Sequence, residues 1–182
     1  KVRAYGYPTF VATDSVKVQK LIGENTIMTP HCCHGTDRVM RTNLLGTYEK
    51  VVNVQGDNPD VTLDIVERII SALDNEYVVN GYKKCESARQ SQVGVRLKGD
   101  HIVNYSRDTQ EKGYVATGFH GYHRVAKYIY QNSKPSWRES DYGVEQFRWL
   151  DNGVRIQGVD LGDWDGIEIN TQEDYNEWKQ RR

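Results

Sequence analysis

The run VVNVQGDNPD, residues 51–60, decides how the rest of the chain is read. Val51, Val52 and Val54 suit a buried strand, and residues 50–55 are predicted as one. The strand gives way to Gly56, Asp57, Asn58 and Pro59, residue types that turns use. An amide, Gln55, and a carboxylate, Asp57, are thus brought to the end of an apolar strand. As structure alone this is a strand running into a turn. As chemistry it puts Asp57 where a metal ion or a phosphate is met, because ligands in open α/β sheets sit beyond the carboxyl ends of the strands. Residues 7–14 (YPTFVATD) form a second apolar stretch that ends in an aspartate.

Outward from this point, strands and helices alternate. Residues 16–22 and 36–45 are predicted helical, the second opening on a Gly35-Thr36-Asp37 start signal. Residues 62–73 (TLDIVERIISAL) carry the clearest amphipathic pattern, with Leu63, Val66, Ile69, Ile70 and Leu73 on one stripe. Further strands are expected at 77–82, 92–97, 101–105, 118–122 and 154–159, and helices at 124–131 and 139–151. A last helix should start from an N-cap at Thr171, with Asp174 in its first turn. The alternation predicts one α/β domain over residues 1–182, its sheet covered on both faces.

Composition narrows the function. The chain of 182 residues has 24 basic and 25 acidic residues, a net charge of −1. Twelve tyrosines and four tryptophans could stack on bases, but without a basic excess no nucleic-acid partner is expected. No run reaches 18 apolar residues and the first twenty lack a signal-peptide layout, so no membrane partner and a cytoplasmic location are expected. Three cysteines cannot all pair into a disulfide framework. HCCH at residues 31–34 invites a zinc reading, yet tetrahedral sites use spaced ligands, and four adjacent side chains cannot all point inward. A polar loop is the better reading.

Several motifs, taken together and in order, resemble the sugar-nucleotide cytidylyltransferases, most closely the CMP-Kdo synthetases (3-deoxy-manno-octulosonate cytidylyltransferases). They are Ala12-Thr13-Asp14; Gly35-Thr36-Asp37-Arg38; Val52 to Pro59 (VNVQGDNP); Tyr105-Ser106-Arg107; Gly118 to Tyr122 (GFHGY); Val144 to Arg148 (VEQFR); and Ile169 to Tyr175 (INTQEDY). The resemblance implies a three-layer α/β/α, mostly parallel, nucleotide-diphospho-sugar transferase (Rossmann-like) fold. It implies the reaction of CTP with an acidic sugar to give CMP-sugar and pyrophosphate, with Mg²⁺ as cofactor, in lipopolysaccharide synthesis, by a homodimer.

Residue roles follow from the same resemblance. Asp57, Gln55 and Arg107 are implied as catalytic. Gly35, Thr36, Arg38 and Asp57 fall at nucleotide-binding positions, and Gln55, Arg107, His120, Glu145 and Gln146 at sugar-binding ones. Asp57, Asn170 and Glu168 are the implied metal ligands. Gln55 and Asp57, two residues apart, are expected on one strand face, and the planar Arg107 guanidinium suits a sugar carboxylate.

The chain departs from the family at three places. The family's opening strand and its Gly/Arg/Lys-rich phosphate loop have no counterpart; a βα unit of roughly 30 residues is expected upstream of Lys1. Asn170 stands where the family usually has an aspartate, with Glu168 two residues earlier. His120 replaces a common tyrosine, and the stretch between Arg107 and Gly118 is short. The last departures leave the sugar open among Kdo, amino-Kdo and a sialic-type acid, and the first two leave a non-catalytic sugar- or nucleotide-binding relative as the alternative.

Overall fold

A computed structural model describes residues 5–85, 92–108 and 113–181. The chain begins with β1 (Val11–Thr13), α1 (Val16–Ile22), a 3₁₀ turn and β2 (Thr26–Met28), which pairs parallel to β1. Then follow α2 (Gly35–Arg41), α3 (Leu44–Thr47), β3 (Lys50–Val54), α4 (Leu63–Ala72), β4 (Val78–Cys85), β5 (Gly94–Lys98) and β6 (His101–Ser106). The last part holds β7 (Gly113–His123), α5 (Arg124–Asn132), α6 (Trp137–Tyr142), α7 (Phe147–Asp151), β8 (Ile156–Asp160) and α8 (Gln172–Gln180). Among the described residues no helix is long and apolar enough to cross a membrane.

Six strands form the main sheet in the order β3-β7-β4-β8-β6-β5. The α/β class and both helical layers are as expected, and the sheet is mixed. β7 runs antiparallel to β3 and to β4, β4 and β8 are parallel, and β6 opposes β5 and β8. Hence β3, β4, β8 and β5 point one way and β7 and β6 the other. Strand direction is mostly shared, as expected, but β4–β8 is the parallel pair within this sheet among the described residues. The reason is β7, whose return path lies between two strands that run together.

Alternation along the strands sends side chains to two cores. Val52, Val54, Val79 and Phe119 face α4, where Ile65, Val66, Ile69 and Leu73 complete an apolar layer. Val51, Val78 and Tyr122 face the other side, packed with Val39, Met40, Ala126, Phe147 and Trp149 from α2, α5 and α7. Thr62 caps α4 by accepting from Ile65 N at 3.3 Å.

Several element boundaries differ from expectation. The helix expected at 36–45 breaks after Arg41, because Thr42 turns extended and its hydroxyl donates back to the Val39 carbonyl. The helix expected at 139–151 is two. α6 starts earlier, from a Ser136–Glu139 capping box, and ends at Gly143, whose φ of +60° favours glycine. β2 was missed, since three residues are too few to show alternation. β7 is longer than the expected 118–122; within the short stretch after Arg107, residues 109–112 lie outside the described residues.

Ile69 is fully buried between α4 and the sheet. Replacing it with alanine is expected to lower stability by about 2–5 kcal/mol, measured by urea denaturation.

Candidate active site

β3 stops at Val54, sooner than expected. Gln55 N still donates to the Gly118 carbonyl on β7 at 3.0 Å, and Asn58 N then closes a turn onto the Gln55 carbonyl at 3.1 Å. Asp57 is therefore presented by a turn and not, as expected, by the strand face that would carry Gln55. Both still line one cavity of about 1190 Å³, which lies between β1 and β3 and reaches Gly35, Arg38 and Trp178. The Asp57 carboxylate accepts from the Asn58 amide at 2.8 Å. Asn53 Nδ2 and Asn58 Oδ1, on the same wall, are buried without a hydrogen-bond partner.

Gly118 sets the geometry of this turn. A Cβ there would overlap the Asn58 amide and come within 2.9 Å of Gln55 Oε1. Gly118→Ala is expected to lower stability by about 1–3 kcal/mol and to shift the Gln55 and Asn58 side-chain amide signals in an ¹⁵N spectrum.

The nucleotide-side candidates are placed unequally. Gly35 opens α2 close to Asn53, Gln55 and Glu145; a Cβ on it would lie 3.7 to 4.0 Å from their polar atoms. Arg38 lines the cavity and donates to Thr29 and, at 3.2 Å, to Asp14, joining α2 to β1 and β2. That guanidinium holds the Asp14 carboxyl below its ordinary value. Thr36 is fully buried. Its backbone N donates to Glu145 at 3.0 Å, and its hydroxyl bridges Glu145 and the Tyr122 hydroxyl. A carboxylate from the segment before α7 thus caps α2, where backbone N–H groups need acceptors.

Glu145 belongs to a buried charged cluster. Glu139 is held by two bonds from Arg148, at 2.7 and 2.9 Å. His34 lies 3.8 Å from Glu139 and 3.6 Å from the second Glu145 oxygen. Burial raises the Glu145 carboxyl above its ordinary value, opposed by the hydrogen bonds from Thr36. The HCCH side chains diverge: His31 turns to Asp14 at 3.4 Å and His34 to these glutamates, while Cys32 is buried and Cys33 exposed.

His120 sits in register with Asn53 on β3 and Asn80 on β4, which makes a polar row across the sheet. Gln146 Nε2 is 3.4 Å from its Nδ1, so this sugar-side pair is brought together. Burial lowers the His120 pKa to about 4 from the ordinary 6.5. The folded state then binds fewer protons than the unfolded state between those values. His120's contribution is complete above pH 6.5 and lost as pH falls toward 4, by up to about 3 kcal/mol. Glu145 acts in the opposite sense, losing stability as pH rises above the ordinary carboxylate range. Urea denaturation from pH 7 to 4, on wild type and His120→Gln, isolates the histidine: the variant should lose less stability on acidification.

Arg107 is exposed and donates to the Tyr142 and Gly143 carbonyls at 3.1 and 3.2 Å, away from the cavity that holds Asp57. The metal candidates meet through backbone, since Ile169 N donates to the Asp57 carbonyl at 2.8 Å. Glu168 and Asn170 open instead on a second cavity of about 700 Å³ beside Lys83 and Lys84. Among the described residues no three His, Cys, Asp or Glu side chains gather to hold a metal ion. Asn53, Asn58 and Tyr122 lie within motifs that carry the resemblance, but no site role was expected of them. The two-residue spacing of Val51, Asn53 and Gln55 is the signal that could have placed Asn53 on the site face.

No protein-family model matches the chain. It is 30% identical over 190 residues to 3-deoxy-manno-octulosonate cytidylyltransferase of Brucella anthropi, covering 91% of this chain and 76% of that protein. It is 28% identical over 196 residues to 8-amino-3,8-dideoxy-manno-octulosonate cytidylyltransferase of Shewanella sp. strain ANA-3, covering 94% and 80%. The fold matches that of CMP:2-keto-3-deoxy-manno-octonic acid synthetase complexed with CTP, at a TM-score of 0.78 and 22% identity over 94% of this chain and 79% of that one. The sequence relationship and the shared fold agree: the chain belongs to the 3-deoxy-manno-octulosonate cytidylyltransferase family.

Proposed function

We infer that this chain transfers a cytidylyl group from CTP to an acidic sugar, 3-deoxy-manno-octulosonate, releasing pyrophosphate. The observation that carries the reading is the polar wall at the end of β3. There Asp57, Gln55, Asn53 and Asn58 line one cavity large enough for a nucleotide and a sugar. Family membership supports the same reaction. The 8-amino sugar is the second candidate, because relatives named for it match the chain almost equally well.

In the reaction the anomeric hydroxyl oxygen attacks the α-phosphorus, loses its proton, and the bond to the bridging oxygen of pyrophosphate breaks. Holding the two reactants in line supplies much of the acceleration. Asn170 and Glu168 open on the second cavity, beside Lys83 and Lys84, so of the three implied metal ligands Asp57 alone offers a carboxylate to a hard cation in the first cavity. Mg²⁺ bound there would neutralise charge on the phosphates. Gly35 and Arg38 border the nucleotide and Gln55 the sugar, while the buried His120–Gln146 pair lies outside the lining of this cavity. Glu145 keeps Thr36, and with it the start of α2, in place. Arg107 is the candidate for the sugar carboxylate by resemblance alone, since its guanidinium is bonded at the Tyr142–Gly143 corner, outside the lining of this cavity. The same reading makes the enzyme a cytoplasmic homodimer in surface-polysaccharide synthesis.

Pyrophosphate release with CTP, Mg²⁺ and a panel of Kdo, 8-amino-Kdo and a sialic acid tests this reading. Release with Kdo is the expected result, and release with another acid alone reassigns the substrate. Silence with the whole panel would favour a binding protein without catalysis. Charge stabilisation by a metal amounts to several kcal/mol, so Asp57→Asn is expected to cut turnover at least ~100-fold with the far-UV spectrum unchanged. Wild-type turnover in that variant would remove Asp57 from the site.

A further inference from the structure

Of the four HCCH side chains, His34 alone points into the buried charged cluster, and the reaction above gives it no task. It stands at the N-cap position of α2 with extended backbone, yet its side chain makes no cap bond. The bond that an N-cap side chain ordinarily makes comes instead from Glu145, whose Oε1 accepts from Thr36 N. The imidazole turns to that same carboxylate. Its Nδ1 lies 3.6 Å from Glu145 Oε2, and its Nε2 lies 3.8 Å from Glu139 Oε1. These are ion-pair distances, longer than hydrogen bonds.

The charges of the cluster say what the ring does there. Glu139 and Glu145 are both buried, and the Arg148 guanidinium gives its two bonds to Glu139. A second buried carboxylate without a matching cation is costly. Doubly protonated, the His34 ring presents an N–H to each carboxylate, and with 27% of its side chain exposed it can take that proton from solvent. Burial raises the Glu145 carboxyl, and the facing imidazole opposes the rise. Around them, burial pushes the Tyr105, Tyr122 and Tyr130 hydroxyls up, and Asp37 is held by Arg41 at 2.9 Å. We propose that His34 is a positioning residue, which holds Glu145 on the start of α2 and so fixes Gly35 at the wall of the larger cavity. Gly35 has no side chain to anchor it; polar atoms of Asn53, Gln55 and Glu145 stand 3.7 to 4.0 Å from where its Cβ would be. The consequence for CTP rests on the reading of that cavity as the nucleotide site.

The test compares wild type, His34→Ala, His34→Gln, Glu145→Gln and the double variant, each first checked for folding by urea denaturation. Pyrophosphate release is titrated with CTP and with Kdo, and amide exchange is followed at Thr36. His34→Ala is expected to raise the CTP KM about 10-fold, within the range of coupling between contacting residues, with kcat and the Kdo KM near wild type. Thr36 should lose protection, and His34→Gln, which keeps one donor, should fall between. In the Glu145→Gln background the loss of His34 should change little. Wild-type Thr36 protection in His34→Ala overturns the assignment, and so does an equal effect of His34→Ala with and without Glu145. If Glu145→Gln does not fold, Thr36 exchange in His34→Ala decides alone. If wild type releases no pyrophosphate, the reading of the reaction fails by itself, and the same exchange still decides whether His34 holds α2.

Discussion

β7 runs between β3 and β4 and pairs with both, and it also meets β5. Because its side chains alternate, this one strand serves both layers at once. Phe119 and Gly121 face α4, and Gly121 lets Ile69 and Leu73 come close. His120 and Tyr122 face the opposite layer, where Tyr122 reaches Thr36 and His120 meets Gln146. Gly118 leaves room for the turn that carries Asp57. A one-residue slip of β7 would exchange the two sets and lose the α4 packing and the polar row together. The antiparallel register of β7 is thus the constraint from which core and site both follow.

Around that strand the polar groups are unevenly provided for. Glu145, Thr36 and Tyr122 form a closed chain of hydrogen bonds, and Glu139 is matched by the Arg148 fork. These groups tie α2 to the α6–α7 region, and burial makes each unmatched member costly. Asn53 and Asn58, which line the cavity, each keep one buried side-chain atom without a partner.

Much of the fold was legible in residue patterns. The stripe of Leu63, Val66, Ile69 and Ile70 identified α4, Thr171 marked the start of α8, and the VNVQGD run marked the strand end. Errors fell where local preference and tertiary contact disagree. Periodicity alone carried a helix through Gly143, although the left-handed backbone there ends it. The return direction of β7 has no local signature, since an apolar strand reads alike in either direction. Asn53 interrupts an apolar run, and its pairing with His120 and its place on the cavity wall come from the fold.

By itself the sequence determined the α/β class, the family resemblance, and the delivery of Gln55 and Asp57 to a strand end. Such properties reside in residue type and in spacings of two, three or four along the chain. Only the tertiary structure decided which distant segments meet there. It brought Glu145 109 residues onward to cap α2, set Ile169 against the Asp57 carbonyl, and turned Arg107 toward the Tyr142–Gly143 corner. Those outcomes depend on the register and packing of elements far apart in the chain, which local preferences do not encode. The physical reason is that a hydrogen bond or a buried charge is satisfied by whatever the fold places within about 3 Å.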